Sequence, residues 1–239
     1  MSLEANLSSI KQQLYVRRVP EQYDRLIAEG TKDTSFADWN FTRYSVSLYR
    51  DLLKLNTTGI TEEEFHVAGR KYIKDKNLNP LGEFVKQKFK DSIVVDLASG
   101  PHSHLLKFAM AFGAKLYIGV DIPIGDFYHR HREGLESVFL EDDMLHFAAS
   151  LPDEQINCFY INGVEGWHLF DWRKYESALI NEIYRALKKD GMLLFGDNPD
   201  NYYLGRCAMV SGFREIKFPL GEVGISHLVF VKPGFEGSK

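Results

Sequence analysis

Apolar residues in the first 90 positions recur every three or four residues, which is the spacing of a helix that buries one face. The pattern is clearest in the middle of this region, where Phe41, Tyr44 and Leu48 mark one such face. A capping box at residues 61–64 and a proline at position 80 give two further helix starts. The predicted helices cover residues 21–28, 35–55, a segment that begins at the capping box, and 80–90.

From residue 92 onward, the pattern changes to short continuous apolar runs separated by helical stretches. Runs of this kind are typical of parallel strands that are covered on both faces. The predicted strands are residues 93–97, 116–121, 137–140, 156–161, 192–195, 215–218 and 227–231, and the clearest helices are 105–113 and 172–188. We expect the second of these helices to leave through Gly191 in the left-handed conformation.

This order of elements predicts the fold class. Strands that alternate with helices are typical of an α/β fold, here a Rossmann-like doubly wound seven-stranded sheet that is mostly parallel. The last two runs are joined by a glycine-containing turn at residues 221–224, which predicts an antiparallel C-terminal hairpin. We expect an N-terminal helical cap in residues 1–84 and the sheet domain in residues 85–239.

Composition narrows the class of protein further. The 239 residues carry a net charge of −4, and this acidic balance argues against a nucleic-acid partner. The two cysteines, Cys158 and Cys207, are too few for a disulfide framework, so we expect a reducing, cytoplasmic location. No apolar stretch approaches the roughly 18 residues that would span a membrane, and we expect no membrane contact.

The strongest candidate site begins where the first predicted strand ends. Asp96 belongs to that strand, and a turn of small residues follows it at positions 98–100. Small residues at such a turn allow a ligand to approach the backbone closely. Asp121 closes the second strand, 121 − 96 = 25 residues later, where a carboxylate is well placed to bind the two hydroxyls of a ribose.

A dinucleotide-dependent oxidoreductase is a competing interpretation of this turn. A pyrophosphate site needs the glycines of a G-x-G-x-x-G pattern, whose backbone N–H groups bind the phosphates. Residues 98–103 contain Gly100 as their single glycine, and Pro101 has no N–H to donate. Asp96 would repel a pyrophosphate but would favour a cationic ligand. The oxidoreductase interpretation is therefore disfavoured.

Residues 94–102 resemble the first motif of the class I S-adenosylmethionine-dependent methyltransferases, an apolar strand, an acid and a glycine-rich turn. The resemblance extends in order through about residue 232. Asp121 matches the ribose-binding acid, Asp143 with Met144 matches the pair that contacts adenine, and the segment 181–195 resembles the helix, turn and fifth strand of the family. Together, the order and spacing of these motifs favour membership of this fold family.

The resemblance implies S-adenosylmethionine as the cofactor and methyl transfer to a small-molecule N or O nucleophile as the reaction. The transfer would be an in-line displacement that needs alignment and a dry pocket but no metal site. The expected partners are a small-molecule substrate and no nucleic acid, with the chain as a monomer or homodimer. The cofactor-binding residues that it implies are Asp96, Ala98, Ser99, Gly100, Asp121, Ile122, Asp143, Met144 and Asn162.

The sequence departs from the family at positions that bear on turnover. Ala98 and Ser99 are still small, so we expect them to cost little, but His102 replaces the third glycine. This histidine leaves open a non-catalytic protein that binds S-adenosylmethionine or S-adenosylhomocysteine. The candidate catalytic groups are His168, Glu165 and His102. His102, His104, His129 and His131 lie in two predicted turns, but we expect no metal site there because acid or cysteine partners at ligand spacing are missing.

Overall fold

Seven strands form one sheet in the computed structural model, which describes residues 3–30, 48–54, 71, 73, 77–99, 104–122, 135–162, 172–196, 201–218 and 227–234. In chain order the strands are β1 (Ile93–Leu97), β2 (Leu116–Asp121), β3 (Glu136–Glu141), β4 (Ile156–Ile161), β5 (Leu187–Phe195), β6 (Arg214–Ile216) and β7 (Leu228–Val231). Their order across the sheet is β3-β2-β1-β4-β5-β7-β6.

Helices flank this sheet on both sides. In the described residues they are α1 (Leu3–Leu14), a 3₁₀ turn (Glu21–Tyr23), α2 (Asp24–Gly30), α3 (Pro80–Phe89), α4 (His104–Ala111), α5 (Met144–Ser150), α6 (Trp172–Ala186) and α7 (Asn201–Val210). Residues 48–52 are also helical. None of the described helices is both long enough and apolar enough to cross a bilayer.

The strand directions confirm the predicted doubly wound sheet. β1 pairs in parallel with β2 on one side and β4 on the other, whereas β7 runs antiparallel between β5 and β6. The predicted C-terminal hairpin is therefore also confirmed, with β6 at the sheet edge. Because β1, β2 and β4 are parallel, their last residues Leu97, Asp121 and Ile161 lie along one edge, which we call the carboxyl edge.

The two faces of the sheet bury separate apolar clusters. The face that we call the α6 face carries Val95 and Phe159 and packs against α5, α6 and α7. The opposite face, the α4 face, carries Val94 and Tyr117 and packs against α3 and α4. Alternate residues of each strand point to opposite faces, so continuous apolar runs are needed to fill both clusters.

The N-terminal region covers both faces instead of forming a core of its own in the described residues. Ile10 and Leu14 of α1 belong to the cluster on the α6 face, and Tyr49 and Leu52 belong to the cluster on the α4 face. The position expected to divide cap from sheet domain, between residues 84 and 85, falls inside α3.

The segment at residues 48–54, which is helical through residue 52, approaches α3 very closely. Leu53 forms an antiparallel bridge with Leu78, and the Asn79 N–H donates to the Leu52 carbonyl at 3.2 Å. A Cβ atom on Gly82 would lie only 2.0 Å from that carbonyl oxygen. Glycine at position 82 is therefore a steric requirement for this contact.

One local prediction was wrong at the junction of α6 and β5. The helix ends at Ala186 instead of Lys188, and Leu187 already pairs with Ile156 of β4. The left-handed residue is Asp190, with φ = 58°, and not Gly191. Gly191 is needed for a different reason, because a Cβ there would lie 2.7 Å from the Lys188 carbonyl oxygen.

Candidate functional site

Two buried carboxylates lie at the carboxyl edge. Asp96 of β1 is 3% exposed, and Asp121, the last residue of β2, is 7% exposed. Asp96 lies opposite Gly119 in the register of β1 and β2 and directs its carboxylate to the α4 face, where the Tyr117 hydroxyl donates to its Oδ2 at 2.5 Å. The structure therefore places these two predicted site residues on neighbouring strands.

Burial dominates the electrostatics of Asp96. Loss of water raises the pKa of its carboxyl from 3.8 to about 7, since the charged form is disfavoured in the interior. The hydrogen bond from Tyr117 acts in the opposite direction and lowers this pKa, whereas the negative charge of Asp121 raises it. A positive charge next to Asp96 would therefore stabilise the ionised form of its carboxyl group.

Asp121 is held in place by the backbone around it. Its Oδ1 accepts a hydrogen bond from the Ile122 N–H at 2.8 Å, and its carbonyl accepts one from the Asp142 N–H at 2.9 Å. The second contact ties the end of β2 to the loop after β3. Ile122, another predicted site residue, is half-buried beside it.

The turn after β1 has an unusual backbone. Ala98 has φ = 59°, a left-handed conformation that costs an L-residue other than glycine roughly 1–2 kcal/mol. The expectation that alanine costs little here was therefore wrong, because small size does not remove the clash of a Cβ in this region. Non-glycine residues in this conformation are enriched where the surrounding structure imposes a functional geometry.

Two buried oxygens at the carboxyl edge have no hydrogen-bond partner among the described residues. One is Ser99 Oγ after β1, and the other is Asn162 Oδ1 after β4, the strand next to β1. The Asn162 side chain packs over Gly196, where a Cβ would lie 2.2 Å from Oδ1. Buried polar atoms are nearly always hydrogen-bonded in native proteins, so this pair is the kind of site that a polar ligand completes.

The loop after β3 is built around two aspartates. Asp143 caps α5, and its Oδ1 accepts hydrogen bonds from the Leu145 and His146 N–H groups at 2.8 and 3.1 Å. Its Oδ2 accepts a hydrogen bond from the Tyr175 hydroxyl at 2.9 Å. Burial raises the pKa of Asp143, and the hydrogen bonds from α5 and Tyr175 act against that rise. Asp143 thus accepts three hydrogen bonds from groups of the protein itself.

Asp142 joins the same loop to the N-terminal region. The Tyr15 hydroxyl, just after α1, donates to Asp142 Oδ2 at 2.7 Å, and His146 Nδ1 lies 2.8 Å from Oδ1. Burial, followed by the nearby Asp142 charge, raises the pKa of Tyr15 well above its usual value. Met144 is half-buried at the start of α5. The loop at residues 142–144 is therefore fixed from two sides.

Sequence reasoning missed the tyrosines that hold these acids. Tyr117 lies inside an apolar run and Tyr175 inside a helical apolar pattern, so both were indistinguishable from ordinary core residues. The alternation of β2 was the one available signal, since it puts position 117 on the same face as position 119, which lies opposite Asp96.

Several predicted site residues lie outside the described residues. They are Gly100, His102, His129, His131, Glu165 and His168, and the side chain of His104 is likewise not described. Within the described part of the chain, no group of three or more His, Cys, Asp or Glu side chains has an arrangement that would hold a metal ion.

Comparison with known proteins gives similarity in structure alone. No protein-family model matches the chain, and no curated protein matches its sequence. Magnesium protoporphyrin IX methyltransferase (ChlM) from Synechocystis PCC 6803, solved with bound S-adenosylmethionine, is 12% identical, with 91% of this chain and 100% of that chain covered and a TM-score of 0.49.

Two further solved structures are similar to the same degree. A SAM-dependent methyltransferase from Archaeoglobus fulgidus is 17% identical over 68% of this chain and 94% of that one, with a TM-score of 0.47. The N-methyltransferase NodS from Bradyrhizobium japonicum WM9 is 15% identical over 65% and 98%, also with a TM-score of 0.47. At this level the likeness concerns the fold alone. The chain's own strand order defines a Rossmann-like, doubly wound seven-stranded sheet.

Proposed function

We propose that this chain is an S-adenosylmethionine-dependent methyltransferase that acts on an N or O atom of a small molecule. The observation that carries the proposal is the set of buried polar groups where β1, β2 and β4 end. Asp96, Asp121, Ser99 Oγ and Asn162 Oδ1 converge on the carboxyl edge, which is where open α/β sheets bind their ligands.

The charges and hydrogen-bonding groups present suit this cofactor. Asp121 would bind the ribose hydroxyls, since a carboxylate accepts two short hydrogen bonds from a vicinal diol. Ser99 and Asn162 would bind the polar atoms of the methionine end, which would satisfy their buried oxygens. Asp96 would supply the negative field that a sulfonium and an ammonium group require.

The adenine end would lie against the loop after β3. Met144 offers an apolar surface there, and Asp143 keeps the loop in shape by capping α5. The contact between Tyr15 and Asp142 would hold the same loop from the N-terminal side. We therefore assign Asp143 a contact with adenine that works together with its structural role.

The bound cofactor would supply an electrophilic methyl group on a sulfonium sulfur. The contribution of the chain would be to align the acceptor with that methyl group and to exclude water from the crevice. The small-molecule assignment is supported by the acidic net charge of −4, which disfavours non-specific contact with nucleic acid.

A ligand-binding experiment tests the proposal. Thermal unfolding is measured with S-adenosylhomocysteine, S-adenosylmethionine, NAD and NADP, and we expect the first two alone to stabilise the protein. Asp121→Ala should abolish that shift. Asp153→Ala is the matched control, because Asp153 is exposed in the turn before β4, at the opposite end of that strand. Stabilisation by NAD, or an unchanged shift in Asp121→Ala, would contradict the proposal.

Turnover is tested separately with methyl-labelled S-adenosylmethionine and fractionated metabolite extracts. Transfer of label to a small molecule supports a methyltransferase. Tight binding of the cofactor without transfer to any fraction would instead support the non-catalytic binder that His102 leaves open.

A further inference from the structure

A second buried polar group lies on the α4 face, outside the cofactor site described above. It consists of Asp51 in the segment 48–54, Tyr160 of β4, and His227, which directly precedes β7. The side chains of His227 and Asp51 are 0% and 2% exposed, and Tyr160 is 4% exposed. We call these three residues the Asp51 relay.

The hydrogen bonds of the Asp51 relay orient its histidine. Asp51 Oδ2 accepts from the His227 N–H at 3.1 Å and lies 2.7 Å from His227 Nδ1. In a neutral imidazole, a carboxylate at this distance selects the tautomer with its proton on Nδ1, and Nε2 then carries the lone pair. Nε2 lies 3.4 Å from the Tyr160 hydroxyl, and the two rings are nearly parallel.

Both carboxylate oxygens of Asp51 face N–H groups. Arg50 Nε donates to Asp51 Oδ1 at 2.8 Å, so each carboxylate oxygen faces an N–H donor. The segment itself is held by the Asn79 side chain, which donates to the Asp51 carbonyl at 2.6 Å, and by the close approach over Gly82. This arrangement has the logic of an acid–base dyad, in which a buried carboxylate orients an imidazole.

The Asp51 relay lies next to the proposed cofactor site. Tyr160 is opposite Asp96 in the register of β1 and β4, and it precedes Asn162 by two residues. Both Tyr160 and Asp96 therefore direct their side chains to the α4 face. His227 directly precedes Leu228, which pairs with Phe195 at the end of β5. His227 therefore lies at the same carboxyl edge.

We propose that the Asp51 relay removes the proton from the methyl acceptor, with Tyr160 as the catalytic residue that touches the acceptor. Asp51 and His227 act through Tyr160 as positioning residues. The inference rests on the proposed function and deepens it, since it defines the substrate class. The acceptor is a hydroxyl or N–H group that must lose a proton, and not a thioether or tertiary amine.

The step balances without any further reactant. The acceptor atom forms a bond to the methyl carbon, and the electrons of the broken carbon–sulfur bond remain on sulfur. The acceptor's proton passes to Tyr160 Oη while the Tyr160 hydroxyl proton passes to His227 Nε2. The resulting imidazolium is stabilised by the Asp51 carboxylate and later returns its proton to solvent.

The alternative is that these residues only clamp the N-terminal segment to the sheet. A buried ion pair is often close to neutral for stability once the cost of desolvation is counted, so burial alone does not decide between the two roles. A clamp would make every variant lose stability and lose activity on all acceptors equally. A relay makes the loss depend on pH and on the acidity of the acceptor.

Three variants separate these roles. Tyr160→Phe keeps the ring and its packing and removes only the hydroxyl group, which lies 3.4 Å from His227 Nε2, so it should fold normally. Asp51→Asn keeps the side-chain volume but no longer requires the proton on Nδ1 of the imidazole, which favours the tautomer with its proton on Nε2. His227→Gln removes the proton acceptor. Tyr184→Phe, on α6 against Phe213, is the matched control for loss of a tyrosine hydroxyl.

The assay uses methyl-labelled S-adenosylmethionine with a panel of phenols, aromatic amines, thioethers and tertiary amines, from about pH 5 to about pH 9. In the described residues, the titratable groups in contact with the imidazole are Asp51 and Tyr160, and Arg50 pairs with Asp51. Asp96 and Tyr117 come next along the edge. We expect the relay variants to lose about 10²- to 10⁴-fold in rate on phenol.

The same variants should lose little of their transfer rate on 4-nitrophenol at a pH where its hydroxyl is already ionised. Their transfer rates on phenol should rise with pH. Equal losses on both phenols, an unaffected Tyr160→Phe, or wild-type transfer confined to thioethers and tertiary amines would overturn the proposal. Calorimetric binding of S-adenosylhomocysteine is measured for every variant. If the wild type fails to bind it, the proposed function fails; if binding is intact and the rates disagree, the relay alone fails.

Discussion

Replacement of Asp96 by Asn tests the electrostatic account of the carboxyl edge. The folded protein holds the pKa of this carboxyl at about 7, whereas the ordinary value is 3.8. Between these two values the unfolded chain is ionised and the folded chain is not, so stability is lost as the pH rises through this window and stays low above it. Each pH unit corresponds to about 1.4 kcal/mol, and the full difference is about 4 kcal/mol.

Asp96→Asn removes this cost because an amide is neutral at every pH and still accepts the hydrogen bond from Tyr117. The assay is urea unfolding of the two proteins from about pH 5 to about pH 8, over which the advantage of the variant should grow by about 3 kcal/mol. Tyr117→Phe is the companion variant, since loss of the hydroxyl should raise the pKa of Asp96 further. An advantage that does not change with pH would refute the reasoning.

Three further predictions concern the backbone and the ligand. Gly82→Ala should destabilise the protein by about 1–3 kcal/mol in urea unfolding, because its Cβ would meet the Leu52 carbonyl at 2.0 Å, whereas Gly205→Ala in α7, whose nearest contact is the Leu228 side chain at 3.3 Å, should cost much less. Ala98→Gly should raise the free energy of unfolding by about 0.5–1 kcal/mol, since relief of the left-handed alanine exceeds the added chain entropy; a loss of stability would contradict this. The affinity for S-adenosylmethionine, measured by calorimetry, should rise as the pH passes through 7, because an ionised Asp96 attracts the cation; this rise should be absent in Asp96→Asn.

The positions of the strands were predictable from the sequence because the strands contribute side chains to two apolar clusters. A strand covered on both faces needs a run of apolar residues, and such runs are visible in any sequence. Asp121 was predictable for a related reason: an acid that directly ends such a run must lie at the sheet edge. These features depend on residues that are close together in the chain.

The start of β5 was not predictable in the same way. Lys188, Lys189 and Asp190 have the composition of a helix end, but pairing with distant segments decides their conformation. The Asp190 N–H donates to the Lys232 carbonyl at 2.9 Å, and Lys88 Nζ donates to the Asp190 carbonyl at 2.8 Å. Tertiary hydrogen bonds outweighed the local preference.

The Asp51 relay shows the same limit at the site. Asp51 and His227 are 176 residues apart, and each lies in a stretch whose local pattern suggests nothing beyond a helix face or a strand end. The left-handed conformation of Ala98 was not predictable either, because the residue type gives the size of a side chain but not the φ angle that the turn requires. Contacts between residues so far apart in the chain form only in the folded structure.

The cover that the N-terminal segments give to both faces of the sheet has a consequence during synthesis. Tyr23 donates to Glu182, 159 residues later, and Asp51 contacts His227, 176 residues later. The N-terminal helices are therefore synthesised well before the strands that they cover, and their apolar surface stays exposed until those strands have emerged. Long-range closure of this kind slows folding and increases the time open to aggregation, so nascent chains of this protein should depend on chaperones.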